Sequence, residues 1–364
     1  MLSRQAIERA AAVLERGEAV ILPTDTVPGL FVQDTDKGED LLRKIKERIG
    51  NKPFARMFAG KRQLSKRVTI RNKLQAKAVS TLLPGKVTLI LPSGRRKETF
   101  IGVRIPEDSS LRALIRRTGP LIATSANLSG QALRDPVSLP QGLLSRVSLV
   151  EEDEDIRFSG FKQIHSTVID ITSSRRVVVK RKGAASLWEI AAKLEKNPVL
   201  EYPLGLNILF VCGGNTCRSP MAAEIFTALC GNERIEVRSA GLSVSYGSEA
   251  SVSADRIMVE RGLSLSGHRA SPLNGNLLYW ADLVLVMTRS HFLRIRNRYP
   301  QAKDITYLMS GFPASWPYGR NIKDPIGMPV SVYRETADVL ERYCRKICSQ
   351  ISKVLIYIHQ KDRG

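Results

Sequence analysis

Cys212 and Arg218 stand six positions apart in FVCGGNTCRSPMAAEIF (Phe210–Phe226), between an apolar run and a helical pattern. Gly213 and Gly214 are read as residues that let the backbone curl inward. Ser219 is read as the helix N-cap and Pro220 as the first helical residue. Backbone N–H groups at such an entry point into the loop, and the helix dipole favours an anion there, with phosphate the best fit. A cysteine among N–H donors beside a guanidinium favours the thiolate. Arg218 can hold two phosphate oxygens at once. Nucleophile and clamp on one anion site imply phosphoryl transfer through a phosphocysteine. A metal site lacks ligands, because Cys212-x4-Cys217 has no matching second pair. The leaving group needs an acid, and KDPIGMP supplies Asp324 in a Pro/Gly loop. Taken alone, that aspartate reads as a turn former.

The first half carries a second collection of chemical groups. PTDTVPGL holds Thr26, KERIGNKP holds Lys46, Arg48 and Lys52, and PGKVTLILP holds Thr88. GVRIP holds Arg104, ATSANLSG holds Ser125 and Asn127, HSTVID holds Ser166, and VKRKGAAS holds Arg181. Each cluster sits at a strand end and supplies hydroxyls or cations. Singly, each reads as a cap or a turn. Gathered into one concavity, they would bind a triphosphate and a small carboxylate.

The elements that must position these groups alternate. AVILP, KVTLILP, LIATSAN and STVIDIT read as strands, and Lys37–Arg48 and Ser109–Gly119 as helices. This is an α/β pattern. LEKNPVLEYPLGLN (Leu194–Asn207) breaks it with two prolines and a glycine. Residues 1–193 are read as one domain, 194–206 as a linker and 207–364 as a second domain. In the second, NILFV, IEVRSAG, ADLVLVM and DITYLM read as four strands separated by helices. They predict a small Rossmann-like parallel sheet with right-handed crossovers. A long C-terminal helix carries Cys344 and Cys348, read as packed thiols.

Cys212–Pro220, RSAG around Ser239, GHRA at His268 and the Asp324-Pro-x-Gly loop, in this order, resemble the low-molecular-weight protein tyrosine phosphatases. The resemblance implies Cys212 as nucleophile, Arg218 as phosphate and transition-state ligand, and Asp324 as general acid, without metal. It implies that Asn215 and Ser219 shape the loop, and that Cys217 can trap oxidised Cys212 as a disulfide. Tyrosine-specific members have an aliphatic residue where Thr216 stands and an aromatic where Ile326 stands. Thr216 is similar to the threonine of bacterial protein-arginine phosphatases, which favours phosphoarginine over phosphotyrosine. Tyr246 is a candidate for one aromatic wall.

The first-half clusters together resemble the YrdC-like threonylcarbamoyl-AMP synthases, over about residues 3–190. That resemblance implies a twisted α/β domain acting on L-threonine, bicarbonate and ATP with Mg²⁺, towards N6-threonylcarbamoyladenosine in tRNA. Arg48, Lys52, Ser125, Asn127 and Arg181, supported by Lys46, would take ATP. Thr26, Thr88 and Arg104 would take threonine, and Ser166 is assigned to neither. Pro28 and Met57 replace an aromatic and, in some members, a histidine.

The chain has 364 residues, five cysteines and a formal net charge of +21. Residues 1–200 hold 36 Lys/Arg against 21 Asp/Glu, net +15. Lys61–Lys77 contains seven cations and no carboxylate. Such a balance favours nucleotides, phosphorylated substrates and RNA. It keeps open an alternative in which the first half only binds RNA or nucleotide, with tRNA or tRNA-modifying proteins as partners. The acidic run Glu151–Asp155 reads as an exposed loop. The odd cysteine count, the absence of a secretory h-region and the lack of an ~18-residue apolar stretch point to a cytoplasmic protein away from membranes.

Overall fold

A computed structural model describes residues 2–47, 53–94, 99–126, 145–151, 164–314 and 318–355. The chain divides into two compact units, residues 1–185 with 189–198, and residues 186–188 with 199–364. Among the described residues no helix is long and apolar enough to cross a membrane.

The first unit is built on β1 (Val20–Leu22), β2 (Gly29–Gln33), β3 (Ala55–Met57), β4 (Val87–Pro92) and β5 (Phe100–Arg104). It continues with β6 (Leu121–Ser125), β7 (Leu149–Val150), β8 (Thr167–Asp170) and β9 (Val178–Arg181). They lie in the order β9-β8-β4-β5-β3-β6-β2-β1-β7. The sheet is mixed. β1/β2, β2/β6, β3/β6, β4/β5 and β8/β9 are antiparallel, while β1/β7, β3/β5 and β4/β8 are parallel.

Successive strand residues feed opposite cores. Val20, Leu22, Phe31, Leu121 and Ala123 join Ala10 and Leu14 of helix Arg4–Glu15 and Leu111, Leu114 and Ile115 of helix Ser109–Thr118. Ile21, Leu30, Val32 and Ile122 join Leu42 and Ile45 of helix Asp36–Ile45. With both faces covered, these strands read as continuous apolar runs. Met57 belongs to the first of these cores, so its side chain is packing material.

The caps follow local chemistry. Thr35 accepts the Gly38 N–H, and Asp108 accepts those of Ser110 and Leu111. Helix Ser109–Thr118 ends at Gly119, whose φ of +86° suits glycine. The acidic run is described only at Glu151, which is half-buried and paired with Arg9 rather than free in solvent; residues 152–155 lie outside the described residues.

In the second unit, β10 (Val199–Leu200) precedes β11 (Leu206–Cys212), β12 (Ile235–Gly241), β13 (Leu283–Val286) and β14 (Thr306–Leu308). The last four form a sheet ordered β12-β11-β13-β14, parallel throughout. This is the Rossmann-like four-stranded arrangement expected from the pattern. β11 is flanked by β12 and β13, so the strand order reverses at its carboxyl end, where such sheets bind ligands.

Helix Val330–Ser352 buries Leu340, Cys344, Ile347 and Ile351 and packs on helix Arg218–Cys230. The expectation for Cys348 is corrected here. Cys348 is bonded to Cys230, 118 residues earlier, while Cys344 remains a buried thiol that donates to Ala222 O. Two packed helices bring the Cys230 and Cys348 Cα atoms within 5.7 Å, which permits a bridge.

Candidate active sites

In the second unit the loop after β11 wraps the Cys212 sulfur. Cys212 is 2% exposed. Its Sγ accepts the Asn215 N–H at 3.2 Å and lies 3.0 Å from Ser219 Oγ. Asn215 is the keystone of the loop. It is fully buried with φ +58°, and its Nδ2 donates to both Ser219 Oγ and Ser239 Oγ at 2.9 Å. Its Oδ1 accepts from Ser271 N at 2.9 Å, and its carbonyl lies 2.6 Å from His268 Nε2. The inward curl therefore comes from Asn215 and not from Gly213 or Gly214, neither of which has a positive φ. Asparagine tolerates the left-handed region and repays it with side-chain bonds. The close approach of strand to loop falls at Gly241, where a Cβ would lie 2.7 Å from Gly213 O.

The helix starts at Arg218 with Cys217 as N-cap residue, two residues earlier than the Ser219–Pro220 reading. Ser219 is not free to cap, because its hydroxyl is committed to Cys212, Asn215 and Ala240 O. Arg218 is 4% exposed. Its Nη1 donates to Ile322 O at 3.1 Å and its Nη2 to Asp324 Oδ2. The Asp324 side chain is 45% exposed. Cys212, Arg218 and Asp324 are thus brought together as the sequence suggested.

The Cys217 thiol donates to Ser251 Oγ at 3.2 Å and approaches Tyr333 OH at 3.9 Å. Burial, ahead of the other influences, raises the Tyr333 phenol. Thr216 sits half-buried on the rim, its carbonyl accepting from Ser251 N. Ile326 and Tyr246 are exposed.

A histidine that the motifs did not signal lies behind the loop. His291 is buried, with its Nε2 3.8 Å from where a Gly213 Cβ would stand. Burial first, then the Arg218 charge, brings its imidazole down to about 4, with Asp324 opposing and Arg294 adding. Its Nδ1 has no hydrogen-bond partner. Only its place on the apolar face of helix Arg289–Arg298, with Phe292 and Ile295, could have marked it in the sequence.

The first unit gathers its scattered clusters around two linked networks. Arg104, 4% exposed, donates through Nη1 to Thr26 Oγ1 at 2.8 Å and through Nη2 to Asp25 Oδ1 at 2.7 Å. Asp25 Oδ2 accepts from Glu107 N. Thr24 holds the turn, bonding Val27 O and Thr26 N. Ser166 joins the other groups: Thr88 Oγ1 lies 2.8 Å from its hydroxyl, and Arg181 Nη2 donates to its carbonyl at 2.9 Å. Lys46 Nζ donates to Ser125 O at 3.0 Å. β2/β6 pairing sets Gly29 opposite Ser125, bringing the Thr26 turn beside the β6 end.

Charge ties the two networks together. Burial and then the Arg104 charge lower the Arg181 guanidinium, and burial lowers Arg104 itself despite Asp25. His165 is lowered by burial, then by Arg181 and Lys46. Lys46 and Arg181 thus both act on His165, and Arg104 acts on Arg181. Arg48, Lys52 and Asn127 lie outside the described residues. Asp25 and His165 are site residues that spacing did not single out, although both adjoin singled-out ones. Gly183 has a concrete role here: a Cβ would lie 2.2 Å from His165 O.

Among the described residues there is no protein ligand set for the magnesium ion expected from the resemblance. Both Asp25 oxygens are committed, and among the described residues no cluster of three His, Cys, Asp or Glu could hold a metal.

Comparison with known proteins finds a match to each half of the chain. Residues 12–183 match the Sua5/YciO/YrdC family model, described as telomere recombination. Residues 207–355 match the low molecular weight phosphotyrosine protein phosphatase model. A protein-arginine-phosphatase of Geobacillus stearothermophilus is 42% identical over 147 residues, 40% of this chain and 95% of that protein. The Bacillus subtilis protein-arginine-phosphatase is 35% identical over 150 residues, 41% of this chain and 98% of the relative. A low molecular weight protein-tyrosine-phosphatase of Acinetobacter johnsonii is 36% identical over 135 residues, 37% of this chain and 90% of the relative. The chain carries a Sua5/YciO/YrdC domain in its first half, and through its second half it belongs to the low-molecular-weight phosphotyrosine protein phosphatase family.

Proposed function

We propose that the chain is a bifunctional enzyme: a cysteine phosphatase with a preference for phosphoarginine, and an ATP-dependent synthase of threonylcarbamoyl-adenylate. The observation that carries the first activity is the cradle itself. Cys212 Sγ receives the Asn215 N–H in the loop that leads into the helix starting at Arg218, and Arg218 is bonded to Asp324.

Cys212 attacks phosphorus. The S–P bond forms as the P–N bond to the guanidine breaks, and Asp324 gives its proton to the leaving nitrogen. Arg218 and the loop N–H groups hold the phosphoryl oxygens as charge builds. Water then attacks the phosphocysteine, its proton passing to Asp324, and phosphate and the thiolate are released.

Two features favour phosphoarginine. Thr216 puts a hydroxyl-bearing wall at the rim, and Ile326 cannot stack on a phenol ring. The protein-arginine-phosphatases among the relatives support the same reading. Rates on matched phosphoarginine and phosphotyrosine peptides test it. Thr216→Ile should move the preference towards phosphotyrosine, and an unchanged ratio would remove Thr216 from the explanation. Cys212→Ser should abolish turnover with the fold intact.

In the first unit, Arg104 and Thr26 would take the threonine carboxylate, with Thr88 nearby. Lys46, Arg181 and Ser125, together with Arg48, Lys52 and Asn127, would take the triphosphate. The threonine amine condenses with bicarbonate to a carbamate with loss of water; a carbamate oxygen then attacks the α-phosphorus, and the O–P bond forms as the bond to pyrophosphate breaks. Cations offset the charge on the phosphates, and any magnesium would enter with the nucleotide. Pyrophosphate release should require ATP, threonine and bicarbonate together; release without threonine would refute the assignment.

A further inference from the structure

We propose that the mouth of the Cys212 pocket is a docking surface for acidic protein segments, so that the phosphorylated residue is taken from between aspartates and glutamates. This deepens the phosphatase reading and rests on it.

Helix Arg289–Arg298 has the sequence RSHFLRIRNR, without a carboxylate. It buries His291, Phe292 and Ile295 and exposes Arg289, Arg294, Arg296 and Arg298. Hydrogen bonds tie this cationic face to both lips of the pocket. Arg294 donates to Ser243 Oγ at 3.2 Å and Leu242 O at 3.3 Å. Those same residues bond the cradle, Leu242 N to Cys212 O and Ser243 N to Gly213 O. On the other lip, Arg289 Nη2 donates to Gly319 O at 3.2 Å and its N–H to Asn321 Oδ1. That segment leads directly to exposed Lys323 and to Asp324.

Four arginines away from the pocket behave differently. On helices Val252–Val259 and Val330–Ser352 and at their ends, Arg256, Arg261, Arg334 and Arg345 are each paired with Glu260, Asp338 or Glu341. At the mouth, Arg294 and Lys323 form no ion pair among the described residues, and Asp324 is turned onto Arg218. The positive field there is left for a ligand, which is how charge complementarity steers an encounter and selects a partner. A polypeptide fits better than a nucleic acid, because the attack proposed for Cys212 takes a terminal phosphoryl group, such as that of phosphoarginine, which an internal phosphodiester does not present.

The test uses the full chain and three substrates at low and high salt. Two are phosphoarginine peptides, flanked on both sides by either two glutamates or two lysines; the third is p-nitrophenyl phosphate. The glutamate peptide should lead in kcat/KM by about tenfold or more at low salt, with the difference in KM. The lead should shrink in 0.5 M NaCl, on the order expected from Debye screening. Arg294→Ala/Lys323→Ala should erase it while leaving p-nitrophenyl phosphate turnover within about twofold. Equal rates on the two peptides, or a preference surviving the double substitution, would overturn the proposal.

Anisotropy with the unphosphorylated glutamate peptide reads the surface apart from catalysis. If p-nitrophenyl phosphate is not hydrolysed, the phosphatase reading fails, and this binding still decides the docking surface. Displacement of the peptide by single-stranded RNA at lower concentration than by the peptide itself would assign the surface to nucleic acid and overturn the proposal.

Discussion

Replacing His291 with glutamine should flatten the acid side of the second unit's stability curve. The imidazole ordinarily titrates near 6.5 and is brought down to about 4 in the fold, chiefly by burial and then by Arg218. Between those values the unfolded chain carries a proton on this residue that the folded chain refuses. Stability therefore falls as pH drops through this window, and is unaffected by His291 above it. From pH 7.5 to 5 the loss reaches about 2 kcal/mol by linkage, and about 1–2 kcal/mol after allowing for solvent around the partly exposed Asp324.

The assay is urea unfolding followed by tryptophan fluorescence. The described tryptophans, Trp188 and Trp280, belong to the second compact unit, so the signal follows that unit. The wild type should lose about 1–2 kcal/mol more than His291→Gln between the two pH values. Comparing the two proteins cancels the carboxylates, which titrate in both. Parallel curves would show that His291 protonates freely in the fold, and would refute its burial against the Arg218–Asp324 pair.

Three further outcomes follow from the geometry. Asn215→Ala removes three side-chain bonds from a buried residue with positive φ; it should cost roughly 3 kcal/mol in unfolding and at least tenfold in kcat. Arg104→Lys cannot bond Thr26 and Asp25 at once with a planar fork; threonine-dependent pyrophosphate release should drop at least tenfold, with KM for threonine rising more than that for ATP. Dithiothreitol should lower the melting temperature of the second unit by several degrees, and Cys348→Ser should melt low and ignore the reductant.

The cradle was legible because its parts are contiguous: an apolar strand, a cysteine, an arginine six residues on and a helix. What misled was the cap. Ser-Pro is a strong helix-entry signal, but here the serine hydroxyl is spent on Cys212 and Asn215, a tertiary demand that outranks local preference. The first unit was less legible because seven separated segments build it. Asp25 sits in plain view in PTDTVPGL, yet its meaning depends on Arg104, 79 residues away. Antiparallel pairing was invisible for a related reason. Gly29–Gln33 is buried on both faces, so it lacks the alternation that marks a half-exposed strand. The spacing of Cys344 and Cys348 described one helix correctly, but the partner of Cys348 lies on another.

The two sites meet the same electrostatic demand with carboxylates of different exposure. A buried arginine poised for an anion cannot be left bare, since an unpaired charge out of water costs several kcal/mol. Arg104 and Arg218, each 4% exposed, are accordingly both bonded to an aspartate of their own unit. Asp25 is nearly as buried as its partner and is held on its second oxygen by Glu107 N–H. It has nowhere to go, so it serves to aim Arg104, and an incoming carboxylate must use the remaining edge of the guanidinium and Thr26. Asp324 is 45% exposed, in a loop that continues through Pro325 and Gly327, and its side chain is held by Arg218 on one oxygen and by a long bond from Ile326 N on the other. On the phosphatase mechanism proposed above, a phosphate dianion would compete for the same guanidinium with two oxygens, and Asp324 would yield and turn towards the leaving group. On the proposed mechanisms, the fixed carboxylate serves as an orienter, whereas the displaceable one serves as a proton donor released by the arrival of its own substrate.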